Sequence, residues 1–333
     1  MSSYVRVGKR VLMLAAAGIG LYVVWPSLVE IFAAWPELVS LEPWWLVGMV
    51  VCEALSFALL WLLLELALRT DRTILVATSQ LSSSAFGRVV PGGAAAGTAL
   101  QYRLLVRGGL DGGSVAAGLT ATQLISTGVL AAMPLLSIPA IVGGSAVNRG
   151  LLRGALVGVL AFVLILVAST VLLTSDRALA AVARAAQAVR NKVLRRREAL
   201  RDLPERLAAQ RDVMLRTLGS RWWLALTAAV GRTLLDFLAL MCALSAVGTS
   251  PRPGLVLLAY VSASLLGMIP ITPGGLGFVE AGLSGTLVLA GVGAADAVLA
   301  TLAYRLASYW LPLVVGAVAY GGYHFGFPVR EAP

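Results

Sequence analysis

A set of charged residues stands inside otherwise apolar stretches of this chain, and these are the residues that could do chemistry: Glu53, Arg88, Arg103, Arg232, Asp236, Glu280 and Arg305. Such charges are costly in hydrocarbon, so they face the interior of a helix bundle or a water-filled cavity. Arg232 and Asp236 are four positions apart, which puts them on one helix face where they can neutralise each other. Glu280 is placed to pair with Arg305 or Arg232. Each pair has two interpretations, a structural link between helices or part of a substrate site.

Two Pro-Gly-Gly turns interrupt the same apolar stretches, Pro91-Gly92-Gly93 and Pro273-Gly274-Gly275. Irregular backbone at membrane depth persists only where protein buries it or where it lines a wet cavity. If the turns open helices, the free N–H groups of the first helical turn attract an anion such as phosphate. Arg88, beside the first turn, adds to that attraction. Glu53 needs a cationic partner, and Arg88 and Arg103 are the candidates.

The composition places these residues in a membrane protein. The chain has 333 residues, of which 59% are hydrophobic and 13% charged, and its mean hydropathy is +0.88. Several apolar runs approach the roughly 20 residues that cross a bilayer. The net charge of +10 comes mostly from Lys and Arg located between the apolar runs, which is an orientation pattern of membrane proteins. No aromatic residues are interleaved with the basic ones in the most basic segment, so we expect no nucleic acid as a partner.

Six apolar runs are long enough to be full membrane spans, at about residues 11–25, 44–68, 114–136, 151–173, 222–247 and 297–320. The first follows a basic N-terminal segment without a convincing cleavage site, which indicates a retained signal-anchor helix. Most of the 26 Lys and Arg fall on one side of the membrane if both termini are cytoplasmic. This bias predicts a multi-pass protein of the inner membrane with both termini in the cytoplasm.

A basic segment, residues 175–221, separates two of these spans and carries twelve basic and five acidic residues. Its apolar residues recur at the three- and four-residue spacing of an amphipathic helix, at Leu179, Val182, Ala186, Val189 and Val193. Pro204 predicts a break in this helix. Two interpretations stand, a solvated helical hairpin that packs on the bundle and a helix that lies on the anionic leaflet.

The pattern as a whole predicts an all-α polytopic membrane protein, with residues 1–333 forming one transmembrane domain built from an inverted repeat. The first repeat covers residues 11–136 and the second residues 151–321, and each has three full spans and a Pro-Gly-Gly hairpin. Because three crossings per half invert the second half, the re-entrant hairpins enter from opposite sides and Gly93 lies near Gly275 at mid-membrane. Alternatively, both hairpins cross fully and their turns lie at the surface. The two arrangements have eight and ten membrane segments.

The sequence lacks the residue patterns that common enzyme mechanisms require. The single histidine, His324, stands at the C-terminal edge, which leaves a Ser–His protease or a His-ligated metal site unsupported. There is no Asp-x-Asp metal motif and no glycine pattern for nucleotides. Cys52 and Cys242 lie within apolar runs and suggest neither a disulfide framework nor a metal site. We expect no catalytic residues, no metal and no cofactor.

Two motifs carry a resemblance to a known family. One is RVVPGGAAAGTALQYRLL, and the other is PITPGGLGFVEAGLSGTLVLAGV with the Tyr304-Arg305 and Trp310-Leu311-Pro312 motifs that follow it. They resemble the two Pro-Gly motifs of the lysylphosphatidylglycerol synthetase transmembrane-domain family, which includes stand-alone flippase-like proteins. The resemblance implies a helical flippase domain that moves lipids or lipid-linked precursors between leaflets. The aminoacyl-transferase domain of the bifunctional members is absent from this sequence, and residues 94–96 are alanines where many relatives have an acidic residue.

We therefore expect a lipid flippase or transporter for a phospholipid or a polyprenyl-phosphate type precursor. An anionic head group would enter between the two hairpins while the tails stay in lipid. The expected substrate-binding residues are the turn residues and the intramembrane charges: Arg88, Pro91, Gly92, Gly93, Arg103, Arg232, Asp236, Pro273, Gly274, Gly275, Glu280 and Arg305. Two alternatives stand beside this, a small-solute carrier and a non-transporting scaffold for an envelope-lipid enzyme that docks on residues 175–221.

Overall fold

The computed structural model describes residues 32–90, 93–137, 174–193, 202–267 and 275–326, together with residue 29 and scattered positions between 153 and 172. The longer elements in these ranges are all α-helices: α1 Trp35–Val39, α2 Pro43–Leu68, α3 Thr73–Val89, α4 Gly93–Arg107, α5 Gly112–Ala132, α6 Asp176–Val193, α7 Leu203–Leu218, α8 Trp222–Ala246, α9 Pro253–Gly267, α10 Phe278–Leu289, α11 Ala294–Arg305 and α12 Leu311–Gly326. A π-helical turn, Leu306–Trp310, joins α11 to α12.

Four helices of the described part of the chain are long and apolar enough to cross a membrane: Pro43–Leu68, Gly112–Leu136, Trp222–Ala246 and Ala294–Tyr323. The last of them combines α11, the π turn and most of α12. The prediction of an all-α membrane protein is confirmed, and these helices coincide with four of the predicted spans. The other two predicted spans, residues 11–25 and most of 151–173, lie outside the described residues, so the count of six stays a prediction.

The ends of the spans follow from local sequence. α2 begins at Pro43, where a missing N–H costs nothing, and it ends at Arg69, which adopts a left-handed conformation with φ of 49°. α5 begins after Asp111, whose carboxylate accepts a hydrogen bond from the backbone N–H of Ser114 at 2.8 Å. That hydrogen bond lowers the pKa of Asp111, so the carboxylate remains an ionised N-cap over a wide pH range.

The centre of the bundle is the contact between α2 and α8, which are packed along much of their length. The Ser56 hydroxyl on α2 donates a hydrogen bond to the Arg232 carbonyl on α8 at 3.1 Å. Leu240 and Leu244 on α8 are fully buried in the larger apolar cluster, together with Leu258 on α9. This packing brings the middle of α2 against the middle of α8, where the candidate site is found.

The first Pro-Gly-Gly turn lies within an antiparallel hairpin of α3 and α4. The Arg72 guanidinium, just before α3, donates a hydrogen bond to the Gly108 carbonyl, just after α4, at 2.8 Å. The two helices approach so closely that a Cβ on Gly97 would lie 2.7 Å from the Ser83 carbonyl oxygen. The start of α3 and the end of α4 therefore lie side by side, and Gly97 allows the two helices to pack closely.

The second turn lies between α9 and α10, whose contact includes a hydrogen bond of 3.2 Å from the Thr286 hydroxyl to the Ala259 carbonyl. These helices have 15 and 12 residues, fewer than the roughly 20 that span the hydrocarbon core. Residues 268–274 lie outside the described part of the chain, as do residues 91 and 92. Gly275 and Gly277 lead into α10 with φ of 71° and 75°. That both hairpins are re-entrant, and that Gly93 lies near Gly275, stay predictions.

The basic segment forms a pair of packed helices, α6 and α7, and α7 in turn packs on α5 and α2. The Arg211 guanidinium on α7 makes an ion pair of 2.7 Å with Asp176 at the start of α6. α7 begins beside Pro204, which is where the break was expected. Val182 and Val189 of the predicted apolar stripe of α6 are 52% and 63% exposed, whereas Ala183, outside the stripe, is buried.

The close approach of α3 and α4 predicts that Gly97→Ala destabilises the protein by about 1–3 kcal/mol, because the added methyl group would force the two backbones apart. Gly285→Ala on α10 is the matched control, since no atom lies within 4 Å of the position that its Cβ would take. Alanine favours helix there by about 1 kcal/mol, so the control should be neutral or stabilising. Thermal unfolding in detergent measures both variants, and equal unfolding temperatures would contradict the close packing.

Candidate functional site

Asp236, midway along α8, accepts hydrogen bonds from two tyrosines. The hydroxyl of Tyr260 on α9 donates to its Oδ2 atom, and the hydroxyl of Tyr304 on α11 donates to its Oδ1 atom at 2.8 Å. Both tyrosine side chains are buried. Among the described residues, Asp236 makes no ion pair with Arg232, which was the predicted partner. Its carboxylate is bound instead by two tyrosine hydroxyls from α9 and α11, and Arg232 lies one turn away on the same helix. Asp236 links three helices.

Glu53 on α2 lies against this group and is 4% exposed. α2 and α8 run antiparallel, with Gly48 beside Cys242 and Leu59 beside Gly231, so Glu53 lies level with Asp236. Arg88 and Arg232 are the cations near its carboxyl group. Its Oε1 atom is buried and has no hydrogen-bond partner among the described residues. Of the two predicted partners, Arg88 is therefore the one near Glu53, whereas Arg103 is exposed on α4.

Glu280 and Arg305 form a buried ion pair between α10 and α11. The Arg305 Nε atom donates to the Glu280 Oε1 atom at 2.7 Å, and the side chains of Arg305 and Glu280 are 11% and 9% exposed. The predicted pairing with Arg305 is confirmed. The second carboxylate oxygen, Oε2, is buried without a hydrogen-bond partner among the described residues. A buried carboxylate with one unused oxygen needs a proton or a further donor, so this end of the site can accept another group.

Arg88, at the end of α3, binds the π turn between α11 and α12. Its guanidinium donates hydrogen bonds to the carbonyls of Ser308 at 3.0 Å and Tyr309 at 2.6 Å. In a regular helix the N–H of residue 312 would bond to the Ser308 carbonyl, but Pro312 has no N–H. Proline thus frees a carbonyl inside an apolar span, and an arginine from another helix satisfies it.

Tyr309 brings two guanidinium groups together. The Cζ atoms of Arg88 and Arg305 lie 4.9 Å and 4.3 Å from the centre of its ring, which is the range of cation–π contacts. The Tyr309 hydroxyl also donates to the Arg88 carbonyl at 3.2 Å. α12 packs on α3 at Gly316, where the absence of a side chain admits the backbone of Leu81. Two positive charges are thereby held in one small volume of the bundle.

A cavity of about 270 Å³ lies beside these groups, and its lining comes from α9, α10 and α11: Tyr260, Ala263, Ser264, Gly267, Val279, Leu283, Tyr304 and Arg305. Three of its polar residues belong to the two charged groups, because Tyr260 and Tyr304 bond to Asp236 and Arg305 bonds to Glu280. The volume suits a lipid head group, whereas a whole lipid is far larger. An anionic group inside would meet a guanidinium and two hydroxyls.

Of the predicted site residues, the structure brings five together: Arg88, Arg232, Asp236, Glu280 and Arg305. Gly93 and Gly275 lie at or just before the starts of helices, and the other four turn residues lie outside the described part of the chain. Three tyrosines at the centre of the site were not predicted as site residues: Tyr260, Tyr304 and Tyr309. Two features of the sequence could have indicated them. The tyrosines stand in apolar runs, where a hydroxyl needs a partner, and Pro312 leaves the carbonyl of Ser308, four residues earlier, without its helical donor.

The buried ion pair predicts that Arg305→Met lowers the free energy of unfolding by about 3–5 kcal/mol, because the Glu280 carboxylate would stay buried without its cation. Adding Glu280→Gln to the same chain should recover part of that loss. Thermal unfolding of the two single variants and the double variant in detergent measures the coupling.

The control is the exposed pair of Arg206 and Asp202, at 3.3 Å, where Arg206→Met should change stability by less than about 1 kcal/mol. If Arg305→Met were as mild as that control, the buried pair would not hold α10 to α11.

Comparison with known proteins agrees with the resemblance in the sequence. The family described as the lysylphosphatidylglycerol synthase TM region matches residues 12–316. A UPF0104 membrane protein of Methanothermobacter thermautotrophicus is 35% identical over 91 residues, which are 27% of this chain and 26% of the relative. A second UPF0104 membrane protein of that organism is 32% identical over 98 residues, or 29% and 28% of the two chains.

The matched stretch thus covers little more than a quarter of these curated relatives. No solved structure matches the chain. Since the family match extends over nearly the whole sequence and includes both Pro-Gly-Gly motifs, this protein belongs to the lysylphosphatidylglycerol synthase TM region family.

Proposed function

We propose that the protein moves a lipid with an anionic head group from one leaflet of the membrane to the other. The observation that carries this proposal is the pair of guanidinium groups, Arg88 and Arg305, held on Tyr309 beside a cavity within the bundle. Positive charges at membrane depth are expensive, and they mark the paths of ions and charged substrates. A phosphate-bearing head group has the charge and the size that this place accepts.

When no lipid is bound, Glu280 neutralises Arg305 by forming the ion pair. A phosphate would replace one carboxylate contact of Arg305 by a charge-assisted hydrogen bond of similar strength. Tyr260 and Tyr304 line the same cavity, and each would have to release Asp236 before its hydroxyl could donate to the phosphate. Such an exchange makes binding only moderately favourable, which permits release on the other side. The acyl tails remain in the bilayer because the cavity holds about 270 Å³.

The two Pro-Gly-Gly hairpins would form the route from each surface to this cavity. Three of their four helices are 12 to 15 residues long, too short to cross the hydrocarbon core upright. We propose that both hairpins are re-entrant, that they enter from opposite sides, and that both termini lie in the cytoplasm. The name of the family refers to a phospholipid, which supports a phospholipid as cargo.

The test is translocation of fluorescent phosphatidylglycerol, and separately of a labelled polyprenyl phosphate, in liposomes that contain the purified full-length protein. We expect Arg88→Ala to slow translocation roughly tenfold or more, which corresponds to losing about 1.4 kcal/mol of stabilisation on the path. The translocation rate of Arg88→Lys should lie between those of wild type and Arg88→Ala, because lysine keeps the positive charge and loses the second N–H donor group of the guanidinium.

Arg206→Ala is the matched control, since Arg206 is exposed and its ion pair lies on α7. It should translocate at the wild-type rate. The proposal fails if wild-type protein moves neither lipid faster than liposomes without protein.

A further inference from the structure

We propose that Glu53 binds a proton and couples lipid movement to the proton gradient across the membrane. The inference rests on the proposed lipid transport and adds its energy source. Its starting point is a pair of carboxyl groups, Glu53 on α2 and Asp236 on α8, that lie at the same level in the middle of two candidate spans. The hydrogen bond from Ser56 to the Arg232 carbonyl, one helical turn away, sets this register.

The hydrogen bonds around Asp236 determine which of the two carboxyl groups carries the proton. Both oxygens of Asp236 accept from tyrosine hydroxyls, as expected of an ionised carboxylate. A second negative charge in contact with it would be strongly unfavourable in a bundle interior. Glu53 is 4% exposed and its Oε1 atom has no partner among the described residues. Under this proposal Glu53 is therefore the group that holds the proton, and Asp236 is placed to accept its hydrogen bond.

The groups that face Glu53 connect it to the lipid path. Asp236 and Arg232 act on it from α8, and Arg88 acts on it from α3. Tyr260 on α9 and Tyr304 on α11 reach it through Asp236, and both line the cavity. α3, α9 and α11 thus contribute both to the proposed lipid site and to the surroundings of Glu53.

The sign of the coupling follows from these charges. An anionic head group near Arg88 or in the cavity offsets positive charge that otherwise favours ionised Glu53, so it favours the protonated form. By linkage, protonation of Glu53 strengthens the binding of the anion by the same factor. One proton and one negative head-group charge are then taken up together on one side and released together on the other. The lipid is expected to move in the direction of proton flow.

The first experiment imposes a pH difference across liposomes that contain full-length protein and fluorescent phosphatidylglycerol. Wild-type protein should translocate the lipid several-fold faster along the proton gradient than without one, and a protonophore should remove the difference. Glu53→Gln, which stays neutral, should lose the response to the gradient. Glu42→Gln is the control, since Glu42 is an exposed carboxylate directly before the same helix, and its response should equal that of wild type. Lipid movement that ignores the gradient in wild-type protein would overturn the coupling and leave the proposed function intact.

The second experiment detects the proton directly and does not depend on transport. Infrared difference spectra of the purified protein, recorded across a pH titration, should contain the carbonyl stretch of a buried carboxylic acid near neutral pH. Glu53→Gln should remove this band, and Asp236→Asn should shift it, because the hydrogen-bond acceptor changes. Absence of a Glu53-dependent band would overturn the inference even if the lipid moves. If the band is present and no lipid moves, the coupling falls together with the proposed function.

Discussion

A charge inside an apolar bundle must be held by partners, and in this protein the partners come from several different helices. Glu280 and Arg305 join α10 to α11 through a contact of 2.7 Å, and Asp236 on α8 receives hydroxyls from α9 and α11. If one partner were removed, the other would remain as a buried and uncompensated charge. The positions of four helices therefore depend on a few polar contacts, and those same contacts border the cavity proposed to accept an anionic group.

The irregular backbone between α11 and α12 also contributes to this site. Pro312 leaves the Ser308 carbonyl without its helical donor, and the π turn exposes the Tyr309 carbonyl beside it. Arg88 donates hydrogen bonds to both carbonyls. A buried guanidinium and buried carbonyls without helical donors are both costly in hydrocarbon, and here each satisfies the other. In a soluble protein either group would turn to water. Here the two are brought together by the packing of α12 on α3.

Sequence reasoning predicted the helical membrane class, four spans that the structure describes, the family, and two possible partners for Glu280, of which Arg305 is the one found. Charge placement and apolar run length carry these predictions, because a span must be apolar and a buried charge must be paired. The tyrosine donors of Asp236 could not be predicted in the same way. They reach it from α9 and α11, and helix spacing relates only residues within one helix, which is why Arg232 was the predicted partner. Arg103 was predicted at the site by its position in an apolar run, yet the structure leaves it exposed on α4.

The central claim is that a lipid head group enters the bundle at the level of Asp236. Photolabelling with a phosphatidylglycerol whose reactive group is on the head group tests it most directly, because in a plain bilayer that group stays at the surface. Mass spectrometry of the labelled protein should find adducts at the cavity-lining residues Ser264 and Val279, and Arg88→Ala should reduce them. Adducts confined to the helix ends at the membrane surface would contradict the account.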